Sequence, residues 1–512
     1  MTSAGVLVDG ASLTLESLGQ VCLDRATVVL DDPTRARVAR ARRSVEGILA
    51  RGETVYGLNT GFGSLARVRI STTDLAQLQL NLVRSHAVGV GEPFDVPTTR
   101  AIALLRANVL AAGHSGVRLE VLERLLDLLN LGIHPVIPSQ GSVGASGDLA
   151  PLAHLALVLI GEGRVHGPDG SPEPTADALA RHGLEPLQLQ AKEGIALING
   201  TQAMTGLGAL AVERARRLAR TADAVGALTV EAKLGSRRPF DPRLHALRPH
   251  PGQIRVAANL LAMTEGGSIG PSHADCDKVQ DPYSLRCMPQ VHGAARDTIE
   301  HAARVLTVEL NSVTDNPTLF PDTDEVISGG NFHGQPVAMA LDFLALGAAE
   351  LASISERRTE QLVNSKLSDL PAFLIEEGGV NSGFMMAQVT AAALVSENKG
   401  LCHPASIDTI PTSANQEDHV SMGPIAARKA MAVITNAEQV LAIEALAATQ
   451  AVEFHEPLQP SAAAAAVRDA VRARVPRLDK DRVLHDELVL AAELVRSGVL
   501  VAAAEDVVGP LG

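Results

Sequence analysis

Aromatic residues are scarce in this 512-residue chain. It has nine Phe, two Tyr and no Trp, 2% in all, although 46% of its residues are hydrophobic. Ala, Leu and Val must therefore build the interior. That composition favours long helices over a β-sandwich, which draws on aromatic and β-branched side chains. Positive charge is also short: 44 Lys and Arg face 58 Asp and Glu, a net charge of −14. Such a surface repels polyphosphate, so no nucleic-acid partner is expected. The four cysteines, Cys22, Cys276, Cys287 and Cys402, are few and scattered, which reads as reduced thiols in a cytoplasmic protein. The N-terminus "MTSAGVLVDG" lacks the basic-then-apolar order of a signal peptide. No apolar run approaches the roughly 18 residues of a membrane span. The nearest, "LVLAAELVRSGVLVAAA", is broken by Glu493 and Arg496.

Helical periodicity dominates what is present. "AIALLRANVL" and "VRLEVLERLLDLLNLGI" flank "AAGHSG" and read as helix, turn, helix. Long helices are expected over Ala203–Ala224, Ala294–Leu310, Pro336–Ser365, Gly383–Lys399 and Ile425–Ala451, which together suggest a bundle. The Pro-rich segment Arg237–Gln253 reads as a hinge or subdomain boundary, and Ser461 as the N-cap of "SAAAAAV". Strand signals are few and short, such as "ATVVLDD" near the N-terminus. The expected fold is mainly α: residues 1–205 form a smaller N-terminal part with short β segments, and residues 206–512 form a long-helix bundle and a C-terminal helical region.

One stretch, "GSVGASGDLAP" (Gly141–Pro151), carries chemistry. Its glycines fall at G-x-x-G-x-x-G, not the G-x-G-x-x-G of a dinucleotide site. No lysine completes a P-loop, and Asp148 stands where a nucleophile elbow needs glycine. The plain reading is a glycine-rich turn before a buried helix, with Ser146 or Asp148 as N-cap and Pro151 in the first turn. The alternative lies in Ala145-Ser146-Gly147. Gly147 has no Cβ, so its amide nitrogen can approach the Ala145 carbonyl carbon. Attack there closes a five-membered ring. Loss of water from the ring, and of the Ser146 hydroxyl as a second water, leaves an exocyclic methylidene, an electrophile made from backbone.

"GSVGASGDLAPLAH" resembles the signature of the histidine/aromatic amino-acid ammonia-lyase family, in which Ala-Ser-Gly cyclises to methylidene-imidazolone. The resemblance continues in "YGLNTGFG" (Tyr56–Gly63), "LVRSHAVGVG" (Leu82–Gly91), "EGIALINGTQ" (Glu193–Gln202), "CDKVQDPYSLRCMPQ" (Cys276–Gln290), "SGGNFHG" (Ser328–Gly334) and "TSANQEDHVSMG" (Thr412–Gly423). It runs from about residue 50 to 425 in family order. It implies an enzyme with no external cofactor, whose prosthetic group forms from Ala145, Ser146 and Gly147. It also implies a homotetramer whose active sites borrow residues from neighbouring subunits.

Both tyrosines fall inside these motifs, beside Gly/Asn turns and an arginine. Ammonia elimination needs an electrophile for the amine and a base for an unactivated β-proton. A tyrosine near its reference pKa of about 10 is a weak base unless its anion is stabilised, as helix N-termini could do. The resemblance assigns Tyr56 as the base and Tyr283 as the second active-site tyrosine. Arg286, three residues after Tyr283, has a fork suited to a substrate carboxylate, or to an ion pair with Asp281. By resemblance it takes the carboxylate, Asn199 bonds around the amine and prosthetic group, and Gln280 and Phe332 line the pocket. His86 and Glu417 bear on the substrate. Imidazole offers a donor and an acceptor, and a carboxylate favours its N–H or its cationic form. His86 alone does not discriminate, because tyrosine-selective relatives can keep a histidine there. Glu417 leans the choice to L-histidine, giving urocanate.

Three rivals stand beside this reading. One is a tyrosine or phenylalanine ammonia-lyase or aminomutase. Another is a non-catalytic helical scaffold, which leaves the clustered Tyr, Arg, Asn and Glu unexplained. The third is a zinc site from His273, Cys276, Cys287 and His292. Its cysteines are too far apart for a zinc knuckle, and no metal is expected.

Overall fold

The computed structural model describes residues 5–55, 57–61, 69–71 and 73–512. The chain is mostly helical, at 59% helix and 6% strand. It divides into two compact units: Met1–Leu210 with Ala303–Asp342 and Pro404–Arg428, and Ala211–Ala302 with Phe343–His403 and Lys429–Gly512.

The long helices expected from periodicity are present as Gln202–Ala232, Met288–Glu309, Gln335–Val363, Met385–Leu401 and Gly423–Glu453. The strand signal near the N-terminus is Val28–Val29, paired in parallel with Val6–Leu7. Two helices, Gln335–Val363 and Gly423–Glu453, are long and apolar enough to cross a membrane, contrary to the expectation that no stretch approaches a span. Most of each is buried within the protein, as core helices are.

In the first unit, local signals set the helix ends. Asp31 and Asp95 each accept from the amide three residues on, and Gly52 and Gly132 close helices in the left-handed conformation. Helix Val96–Ala111 is buried on almost every face, so its arginines are buried too. Arg100 donates to the Val21 and Leu129 carbonyls, and Arg106 to the Asn199 carbonyl. Strand Val90–Pro93 pairs antiparallel with Pro138–Gln140, with Val90 opposite Gln140. This ties the end of helix Leu75–His86 to the start of the Gly141–Pro151 segment.

In the second unit, Arg237–Gln253 is not a boundary. It forms the short helices Arg238–Phe240 and Pro242–Ala246 and leads into Pro251–Met263. Ser461 caps its helix, accepting from the Ala464 amide. A buried ionic network links the long helices. Asp223 accepts from His292 Nδ1 at 2.8 Å and from Arg296 at 2.6 Å, Arg358 donates to Glu444, and Thr229 and Ser355 donate to the same carboxylate. His292 and His273, drawn into a zinc set from the sequence, are engaged here and on the Ile269 carbonyl.

Candidate active site

The Gly141–Pro151 segment is held by backbone. Gly141, Gly144 and Gly147 have φ of +129°, +69° and +72°. A Cβ on Gly147 would lie 2.1 Å from the Gly200 oxygen, and one on Gly144 would lie 2.3 Å from Ser421 Oγ. Gly147 forms an isolated bridge with Gly200, and the Asp148 amide donates to the Gly200 carbonyl at 2.7 Å. Only glycine fits there, for space as well as for φ. The segment is thus closely packed, with no room for a side chain, at the residue whose nitrogen attacks. Ala145 is buried against Val420 and Met422, while Ser146 faces a cavity. Small residues, a pinned Gly147 and an accessible Ser146 hydroxyl fit a backbone-derived prosthetic group.

Four helices begin around this segment: Leu149–Leu159, Gln202–Ala232, Gln335–Val363 and Gly423–Glu453. Cβ atoms on Gly334 and Gly423 would each lie 2.4 Å from Met204 Sδ, which brings three of those first turns together. Converging N-termini favour negative charge between them. Asp148 joins the fourth. It stands at the N-cap position of Leu149–Leu159 but makes no side-chain cap there, which corrects the simple capping reading. Instead its Oδ2 accepts from the Ala203 and Met204 amides at 2.8 and 2.9 Å, capping the helix that starts 54 residues later at Gln202. Burial pushes its carboxyl up to about 7, although the two amides pull the other way. Its Oδ1 has no partner among the described residues, which makes ionisation costly.

The cavity in this unit has a volume of about 980 Å³. It is lined by His86, Ala145, Ser146, Asn199, Phe332 and Glu417, so six sequence-predicted residues come together there. Glu417 is held from two sides. Thr412 Oγ1 donates to its Oε2 at 2.6 Å, and Ser146 Oγ donates to its Oε1 at 3.3 Å. The loop before it is tight: Thr412 and Glu417 exchange both backbone hydrogen bonds, and Ser413, Ala414 and Asn415 all have φ between +50° and +64°. Three successive non-glycine residues in that region store strain, which tends to sit at functional sites. His86 Nδ1 lies 2.8 Å from the Leu82 carbonyl. A carbonyl can only accept, so Nδ1 donates to it and Nε2 is not used in that bond.

Gln280, Tyr283 and Arg286 belong to the second unit and are not among the lining residues of this cavity. Tyr283 is 71% exposed, and Arg286 lies over its ring at 4.6 Å, the pairing expected of one short helix, Tyr283–Arg286. The alternative partner of Arg286, Asp281, accepts from the Ser236 amide instead. Gln280 lines a separate cavity of about 550 Å³ with Lys278 and Asp281. Tyr56 lies outside the described residues.

The sequence reading missed several residues. Lining residues Asn81, Asn316, His333 and His419 were not singled out. Neither was the buried Lys192–Asp315 pair beneath Asn199, at 2.8 Å. His333 and His419 stack with ring centroids 5.8 Å apart, and both fall inside motifs already quoted, where a histidine was a legible signal.

Comparison with known proteins gives the family. The family profile described as aromatic amino acid lyase matches residues 13–473. A histidine ammonia-lyase from Anaeromyxobacter sp. (strain K) is 57% identical over 503 residues, 97% of this chain and 99% of that protein. The crystal structure of histidine ammonia-lyase from Trypanosoma cruzi superposes with a TM-score of 0.92 at 46% identity, covering 99% of this chain and 96% of that one. Tyrosine aminomutase from Streptomyces globisporus superposes with a TM-score of 0.95 at 43% identity, covering 99% and 100%. A profile match over most of the sequence and near-complete coverage of relatives on both sides lead to one conclusion: the chain belongs to the aromatic amino acid lyase family.

Proposed function

We propose that this chain eliminates ammonia from L-histidine to give trans-urocanate. One observation carries the choice of substrate. Glu417 lies 3.3 Å from Ser146 in a cavity that His86 also lines, so an imidazole-binding carboxylate stands beside the reactive segment. The relatives named histidine ammonia-lyase support the same reading.

The prosthetic group formed from Ala145, Ser146 and Gly147 supplies an electrophilic carbon for the substrate amine, which turns ammonia into a better leaving group. The chain's own residues do the rest. Glu417 accepts from an N–H of the imidazole, and His86 lines the same cavity beside it. Phe332 walls the cavity and excludes water. Asn199 accepts from the amine. Tyr56 takes the β-proton, its anion favoured by the helix N-termini that open on the segment. Arg286 binds the carboxylate bidentately, with Tyr283 and Gln280 beside it.

These last three residues are outside the cavity's lining, and Tyr283 is exposed. That supports a homotetramer in which another copy brings them to the site. The protein is proposed to be soluble and cytoplasmic.

The second reading is a tyrosine-directed lyase or aminomutase, favoured by the likeness to tyrosine aminomutase. Rates of urocanate and coumarate formation from histidine and tyrosine decide between the two. Histidine is expected to be preferred by orders of magnitude in kcat/KM. Faster turnover of tyrosine overturns the assignment.

A further inference from the structure

Beneath Asn199 lies a buried charged cluster with no role in the chemistry derived so far. Lys192 and Asp315 are both fully buried and meet at 2.8 Å. Lys192 also has φ of +76°, a left-handed conformation unusual for lysine, at the start of helix Glu193–Ile198. A buried ion pair seldom improves stability over apolar residues of the same size, and left-handed lysine adds strain. Folding alone gives no reason for either.

The neighbours supply one. Asp315 Oδ1 accepts from the Asn316 amide at 2.7 Å and from Asn199 Nδ2 at 3.4 Å. Asn199 Nδ2 also donates to the Asn316 carbonyl at 3.1 Å, and Arg106 Nη1 donates to the Asn199 backbone carbonyl at 2.7 Å. The backbone carbonyl and the side-chain nitrogen of Asn199 are thereby fixed. Its Oδ1 is buried and has no partner among the described residues, while the residue lines the 980 Å³ cavity. An amide held by its nitrogen can present only its oxygen.

We infer that Asp315, locked in place by Lys192, is a positioning residue that holds the Asn199 amide so that its Oδ1 accepts from the substrate's α-amino group. This rests on the proposed lyase reading. Burial lowers the Lys192 pKa, and Asp315 opposes that, as a pair sharing one dry site requires. Arg106 is pushed down to about 10 by burial, with Asp315 again opposing.

Two double variants of the whole protein separate positioning from simple packing. Lys192→Met/Asp315→Asn removes both charges but keeps a carbonyl opposite Asn199 Nδ2. Lys192→Met/Asp315→Leu removes the acceptor as well. Apolar replacement of a buried pair is compatible with folding, and Lys192→Met/Asp315→Ala serves if leucine does not fit. The readouts are kcat/KM for histidine, inhibition by urocanate, which lacks the amine, and intact mass at the Ala145–Gly147 segment.

The leucine or alanine variant is expected to lose roughly tenfold or more in kcat/KM, the worth of one hydrogen bond to an amine. It should keep wild-type urocanate inhibition and the two-water mass loss, and the asparagine variant should stay within about threefold of wild type. Equal losses in both variants, or urocanate binding weakened as much as histidine turnover, overturn the inference. If wild-type protein makes no urocanate, the substrate assignment fails separately. The inference is then read on the amino acid it does deaminate and on that acid's own unsaturated product.

Discussion

Glu417 carries two loads: a bond to Thr412 and a bond to the hydroxyl of Ser146. Glu417→Gln keeps the shape but loses the charge, and is expected to cut histidine kcat/KM by roughly ten- to a hundredfold. Unchanged histidine turnover in steady-state assays would remove the basis for the substrate assignment. Ser146→Ala removes the source of the methylidene. Active wild-type protein should be two waters lighter than its sequence, and the variant should show neither that loss nor activity, a fall of roughly three orders of magnitude or more. Intact mass alongside urocanate formation checks both. Asp148 gives a pH dependence. Its carboxyl is raised by burial from 3.8 to about 7, so the folded protein holds that proton more tightly than the unfolded chain. Its contribution to stability is full below the unfolded value and is lost as pH climbs through the folded one. The change amounts to about 4 kcal/mol at most. Asp148→Asn should gain stability relative to wild type between pH 5 and pH 8 in thermal unfolding. A difference that stays flat with pH overturns the burial account.

At the scale of elements, the loop Thr412–Glu417 shows how strain is put to use. Ala414 sits at φ +54° between two other left-handed residues. Ala414→Val adds a β-branched side chain there and is expected to cost roughly 1–2 kcal/mol of stability and to lower histidine turnover. In a Glu417→Gln background the same change should lower turnover no further, because the loop acts through Glu417. The helices themselves were readable from the sequence: five long periodic segments are helical, and Ser461 caps where its spacing placed it. The pairing of motifs was readable only in part. Six of the residues named from the sequence line one cavity: Ala145, Ser146, Asn199 and Phe332 lie in glycine-containing turns, His86 is the last residue of helix Leu75–His86, and Glu417 closes the Thr412–Glu417 loop. The Asp148 cap on a helix 54 residues away, and the Lys192–Asp315 pair, were not readable. Both depend on contacts between segments distant in sequence, and a lone aspartate or lysine carries no local sign of its partner.

For the whole molecule, the division into units follows packing rather than chain order, with boundaries inside long helices such as Gln202–Ala232. No periodicity signals such a boundary, because the helix is continuous across it. Assembly is tested by complementation. Ser146→Ala and Arg286→Leu should each be inactive alone. Mixed assemblies made by coexpression should recover roughly a quarter of wild-type activity if one site draws on two chains. No recovery in mixed tetramers would place each site within one chain. The pinning of Gly147 against Gly200 has a further consequence in time. Its two halves are 53 residues apart, so a nascent chain cannot pack the segment until both have been made. The lost waters are then a permanent mark of having folded. In a pulse-labelled culture the lighter mass should lag behind chain completion. Enzyme unfolded and refolded in vitro should keep the mark from its first folding, so the prosthetic group is a record of each molecule's history as well as a tool.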